Sequence, residues 1–248
     1  MDRHFLMDRH RWTTAALHHF AAWEREEREI FARMVPCVTG EGIALAGGYY
    51  RVARHFPKDR RQALIGMIES VAPVEGAAER RFDGFVRSVR SLANGVATAP
   101  AEGDRALRPL SGMSKFLWYR FPLHGFIYDS RVLAAVCRNG LTVRFDAMID
   151  DFGGRPSDSG EWNFLIAAAS YRTFAFPLHK PLAEVFEGFG LQAERAVRLI
   201  DTLFWLEGGA SGPKREPTDE AVCRLAHEVG IEAFRRCEET MADLLRRA

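Results

Sequence analysis

The sequence is poor in the features that most often announce a function. Its four cysteines, Cys37, Cys137, Cys223 and Cys237, stand far apart and form neither a Cys-x-x-Cys pair nor a Cys/His metal spacing. This argues against a disulfide framework and reads as free thiols in a reducing cytoplasm, with no metal and no cofactor expected. No apolar run reaches about 18 residues, so no transmembrane helix and no membrane partner are expected. The start, Met1-Asp2-Arg3-His4, leads into no signal-peptide core. Neither sign of charge is in excess. The net charge is +1, so no global basic field advertises nucleic acid, and such a partner would have to be met by a local arginine patch. The glycines Gly40, Gly42, Gly47 and Gly48 do not spell G-x-G-x-x-G after a strand, so no phosphate loop is expected there. Alternating strands, solenoid repeats and low-complexity tracts are also missing.

What is present is helical. With 248 residues, 47% hydrophobic and 27% charged, the chain is long enough to bury a sizeable core. The spacing of apolar residues predicts helices over 12–34, 59–72, 77–94, 161–173, 181–188 and 191–207, and between the third and fourth of these a central pair, the first ended by Phe121-Pro122 and the second running from Ser130 to Asn139-Gly140. A final helix from Thr218 to Arg247 is expected to break near Gly230. Residues 35–50 are expected to be a loop with a short helical turn, 96–109 a loop, and 141–152 a strand-like or helical segment. Glu24 to Glu29 read as a solvated face. So do Arg80, Arg81, Arg87 and Arg90, although that arginine row could hold phosphates. The fold class is therefore all-α, taken as one domain over 1–248.

The chemistry concentrates in 110–140, LSGMSKFLWYRFPLHGFIYDSRVLAAVCRNG. Lys115 opens an apolar helical run, and Asp129 opens a second one fourteen positions later. Phe121-Pro122 ends the first run and Leu123-His124-Gly125 makes the turn. Asp129 precedes a helix that closes at Asn139-Gly140, so it is expected to be an N-cap held ionised by backbone N–H groups. Lys115 after Ser111 and Ser114 is expected near a helix start, where a cation is disfavoured and its amine becomes a nucleophile. The alternative is a lysine that snorkels out of an apolar run. Tyr119, one turn beyond Lys115, either lines a pocket or packs in the core. Arg120 and Arg131 flank the pair, His124 lies in the turn, and Tyr171 and Arg172 sit on a buried helix.

This stretch resembles the helix-hairpin-helix DNA glycosylase superfamily, in particular bacterial proteins similar to 8-oxoguanine DNA glycosylases. The resemblance rests on Leu110-Ser111-Gly112-Met113 as the first half of the hairpin, on Ser114-Lys115-Phe116-Leu117, on Pro122, and on Ile127-Tyr128-Asp129-Ser130. Ser114 stands where the hairpin's second glycine falls, and no cysteine cluster for an iron–sulfur centre follows. The resemblance implies a two-lobed helical bundle with a core segment over about 77–207, completed by the terminal helices. It also implies a monomer that flips a damaged, oxidised purine nucleotide out of duplex DNA. Lys115 would attack C1′ and permit strand cleavage, while Asp129 would steady the developing charge. Gly112 and Ser114 would touch the DNA backbone, Tyr119 the pocket and Arg131 a phosphate. Two other readings stand beside it. One is a non-catalytic module of the same fold that binds DNA, a nucleotide or a protein. The other is a small-molecule enzyme using Lys115 as an imine-forming amine.

Overall fold

The computed structural model describes residues 5–35, 37–52, 61–96, 109–209 and 216–247. Among them every regular element is a helix and none is a strand, so the all-α expectation holds. Most of the expected loop at 96–109 lies outside the described residues. The chain divides into two compact units. The first comprises 1–27, 129–144 and 169–248, and the second comprises 28–128 and 145–168.

In the first unit, α1 (Arg9–Ala22) starts at Asp8, whose side chain accepts from the backbone N–H of His10 and Arg11. A π-helical turn, Trp23–Glu27, follows it without a break. Wider turns of this kind rotate the helix face, and here the turn buries Glu27. α1 packs along α11 (Glu220–Arg247), and the two approach closely at Gly230. A Cβ at Gly230 would lie 2.8 Å from Thr13 Cα, so the glycine marks a helix crossing and not the expected break. Asp219, one residue beyond the expected Thr218, caps α11 by accepting from the N–H of Ala221. α10 (Glu194–Glu207) is buried on almost every side through Ala196, Val197, Leu199, Ile200, Leu203 and Phe204. Helices of that kind lie centrally, and α10 contacts α1, α7 (Ser130–Arg138) and α9 (His179–Gly188). α7 closes as expected at Asn139-Gly140. Gly140 adopts φ 63°, and Leu141 N–H returns to the Val136 carbonyl, a helix-ending motif that favours glycine.

In the second unit, α6 (Leu110–Arg120) is central. It is covered by α2 (Arg28–Met34), α3 (Gly40–Tyr49), α4 (Arg61–Glu69) and α5 (Ala78–Val96). The region expected to be mostly loop is the full helix α3. Gly42 lets it lie against α2, because a Cβ there would come within 2.7 Å of Met34 Sδ. After α6 the chain turns at 121–124 and runs without regular structure through 125–129. Phe126 stacks between Phe82 and Phe164, with ring centroids 5.8 Å from each. Gly125 lies so close to the Phe85 ring that no side chain fits. Residues 141–152 form neither strand nor helix, apart from one 3-10 turn at Asp146–Met148. α8 (Ser159–Phe174) begins in the second unit and ends in the first.

Candidate functional site

Lys115 sits in the second turn of α6, because the helix begins at Leu110; the expected position at the helix start is corrected. It is 2% exposed. Its Nζ donates to Ser111 Oγ at 2.7 Å, to the Tyr128 carbonyl at 2.8 Å and to the Ser111 carbonyl at 3.3 Å. It also lies 5.5 Å from the centre of the Tyr50 ring. An ammonium has three N–H donors and no acceptor, and three acceptors surround it here.

The serines complete the arrangement. Ser111 Oγ donates to the Tyr128 carbonyl at 3.1 Å, and Ser114 Oγ accepts from the Tyr128 N–H at 3.0 Å. Ser114 Oγ also donates to the Ser111 carbonyl at 3.0 Å. Both backbone groups of Tyr128 are therefore met by side chains of α6. The S-x-x-S-K spacing puts one hydroxyl, a second hydroxyl and an ammonium on adjacent turns of one helix face. Together they hold the backbone at Tyr128.

Asp129 is the next residue, and with it the chain passes into the first unit. It caps α7 as expected, one oxygen accepting from the Arg131 N–H at 2.7 Å. The Arg131 side chain lies over the Trp205 ring at 4.5 Å. Gly112 is buried inside α6, and Leu110 to Met113 form its first turn, where a hairpin was expected. Tyr119 is buried and its hydroxyl meets that of Tyr50 at 3.2 Å. The structure thus joins Lys115, Ser111 and Ser114 around Tyr128, and Tyr50 lies beside both Lys115 and Tyr119. His124 stacks on Phe121 at 6.3 Å, and burial and the neighbouring Arg81 hold its imidazole below the usual histidine range. Tyr171 is buried in the first unit with its hydroxyl 3.0 Å from His179 Nε2.

Two buried ionic groups went unread in the sequence. In the second unit, Arg90 donates to Glu161 at 2.7 Å and also holds the carbonyls of Phe152, Gly154 and Arg155. Burial pushes the Glu161 carboxyl up, but the hydrogen bonds from Arg90 and Ser157 outweigh it and leave the group below its usual value. In the first unit, Arg198 grips both oxygens of Glu27, at 2.5 and 3.3 Å, and faces Asp201 at 3.5 Å. The sequence signals were single charges on otherwise apolar helix faces: Glu27 in α1's continuation, Arg90 in α5, and Arg198 with Asp201 in α10.

Among the described residues no group of three His, Cys, Asp or Glu could hold a metal ion, and no helix is long and apolar enough to cross a membrane. Comparison with protein-family models, with curated proteins and with solved structures finds no match to the chain.

Proposed function

We propose that the chain is a DNA-binding helical protein of the helix-hairpin-helix glycosylase type in which Lys115 serves as a structural ammonium. The observation that carries this reading is the Lys115 nitrogen itself, buried and donating to three oxygens. A nucleophilic amine needs a free lone pair and a clear approach of about 3–3.5 Å to the carbon it attacks. An ammonium docked on a backbone carbonyl has neither. DNA as the ligand comes from the resemblance of residues 110–130. On this reading the protein is a cytoplasmic monomer without a cofactor, and its grip on DNA is local and salt-dependent because the net charge is only +1.

A second reading is a glycosylase with lyase activity on oxidised purines, using Lys115 and Asp129. What favours it is the Asp129 carboxylate. One of its oxygens caps α7, and the other has no hydrogen bond to any described residue, so it is open to a developing positive charge. Borohydride trapping on duplexes carrying 8-oxoguanine or an abasic site separates the two. The first reading expects duplex binding without a trapped adduct. A trapped adduct that disappears in Lys115→Gln makes the second reading the function.

A further inference from the structure

Three arginines are equally buried, each with 8% of its surface exposed: Arg90, Arg195 and Arg198. Taking a guanidinium out of water is costly unless carboxylates or carbonyls replace the lost hydrogen bonds. Arg90 and Arg198 meet that demand with Glu161 and three carbonyls, and with Glu27 and Asp201.

Arg195, one turn before Arg198 on α10, does not. Its guanidinium lies over the rings of Phe20, at 4.4 Å, and Trp23, at 4.9 Å. Aromatic faces stabilise the cation through its flat sides. They offer nothing to the five N–H donors, which lie in the guanidinium plane. Among the described residues no carboxylate or carbonyl accepts from Arg195, and its Nε is sealed from solvent without a partner. The charges of Glu27 and Glu24 act on it from a distance, and burial brings its pKa down to about 10.

His19 is fully buried among Phe20, Trp23 and Phe186, and among the described residues neither ring nitrogen has a hydrogen bond. Burial, then Arg195, Arg198 and His18, keep this imidazole from taking a proton. Arg195 and His19 thus pack against the same two rings, Phe20 and Trp23.

We infer that Arg195 is the anchor of an oxyanion site in the first unit, taking a phosphoryl or carboxylate group in the plane of its guanidinium. A planar fork of N–H donors fits two oxygens of one such group, and the flanking rings hold the fork fixed before the ligand arrives. The site goes beyond the DNA-binding reading, since Arg195 takes no part in the Lys115 clamp.

Thermal unfolding and calorimetry with inorganic phosphate and with acetate, against chloride at equal ionic strength, test the assignment. Wild type is expected to gain a saturable, anion-specific rise in midpoint with at least one of the two, because a ligand that binds only the folded state stabilises by mass action. Phosphate against acetate identifies the oxyanion. In Arg195→Met binding weakens at least about tenfold. Its midpoint without anion stays equal to wild type or rises, because methionine packs on the same rings without a buried charge. Arg235→Met, which removes only an exposed ion pair with Glu232, responds like wild type. In wild type alone, the His19 imidazole resonances shift as phosphate or acetate fills the site and offsets the Arg195 charge. Equal stabilisation of wild type and Arg195→Met, or unchanged His19 resonances at saturating anion, overturns the proposal.

Discussion

The Lys115 ammonium donates to the carbonyl of Tyr128 across 2.8 Å, and Tyr128 is the residue immediately before Asp129. The two charges singled out in the sequence are thus linked through one backbone carbonyl. Replacing Lys115 by Met is expected to remove a charged donor from that carbonyl, which keeps the Ser111 hydroxyl, at a cost of about 1–3 kcal/mol. Ser114→Ala, which strands the Tyr128 N–H, is expected to cost a similar amount. Urea unfolding of both variants checks this. Wild-type stability in both would mean that the clamp is ornamental and that Lys115 is free for chemistry.

Asp129 distinguishes capping from catalysis. Asn caps a helix about as well as Asp, whereas Ala costs about 1 kcal/mol. Asp129→Asn is expected to retain wild-type stability, and Asp129→Ala to lose roughly that amount in chemical denaturation. A base-excision activity that vanishes in Asp129→Asn would establish the glycosylase reading.

The Glu27–Arg198 pair is buried at both ends. Removing Glu27 leaves the buried Arg198 with Asp201, at 3.5 Å, in place of two carboxylates, so Glu27→Ala is expected to cost about 3 kcal/mol. The double variant Glu27→Met, Arg198→Met removes the pair but also takes Arg198 from the buried Asp201, so it is expected to recover only part of that loss. A complete double-mutant cycle measured by denaturation would show a large coupling between the two positions.

His19 predicts how stability depends on pH. Its folded-state pKa lies well below the usual 6.5, so between that value and its folded one the unfolded chain binds the proton and the folded chain does not. Stability is then complete above about pH 6.5 and declines as the pH falls, by up to about 1.4 kcal/mol per pH unit for one proton. His124 acts in the same direction, whereas Glu161, whose folded value is below 4.5, adds its loss only at lower pH. Unfolding free energies of His19→Leu between pH 7 and 5 should be flatter than those of wild type. Parallel curves would exclude this role for His19.

Gly230→Ala sets two effects against each other. Alanine favours a helix interior by about 1 kcal/mol. Its methyl would press on Thr13 Cα, a backbone atom that cannot move aside, and such overpacking costs about 1–3 kcal/mol. The steric effect is expected to win, lowering the thermal midpoint. A raised midpoint would show that α1 and α11 part readily.

The helical class and most helices were legible because their apolar residues recur at helical spacing. What misled was glycine. Gly42 and Gly230 read as breakers, yet both lie inside helices where a neighbour comes too close for a side chain. Sequence spacing reports turn chemistry and close approach with the same letter. The cap role of Asp129 was legible, because capping is local. The Lys115 surroundings were not, because Tyr128 meets them only after the turn at 121–124 brings the chain back. Nor were Glu27, Arg90 and Arg198, each placed by a partner at least 71 positions away.

The first unit takes its helices from both ends of the sequence, with α1 against α11. A nascent chain emerging from the ribosome therefore presents the side of α1 that carries Thr13 and Ala16 long before residues past 220 exist to cover it. During that interval the second unit's stretch 28–128 has already emerged in full. Synthesis of this protein should thus pass through a stage at which α1 is a client for a chaperone, and slowing translation before α11 should prolong its exposure.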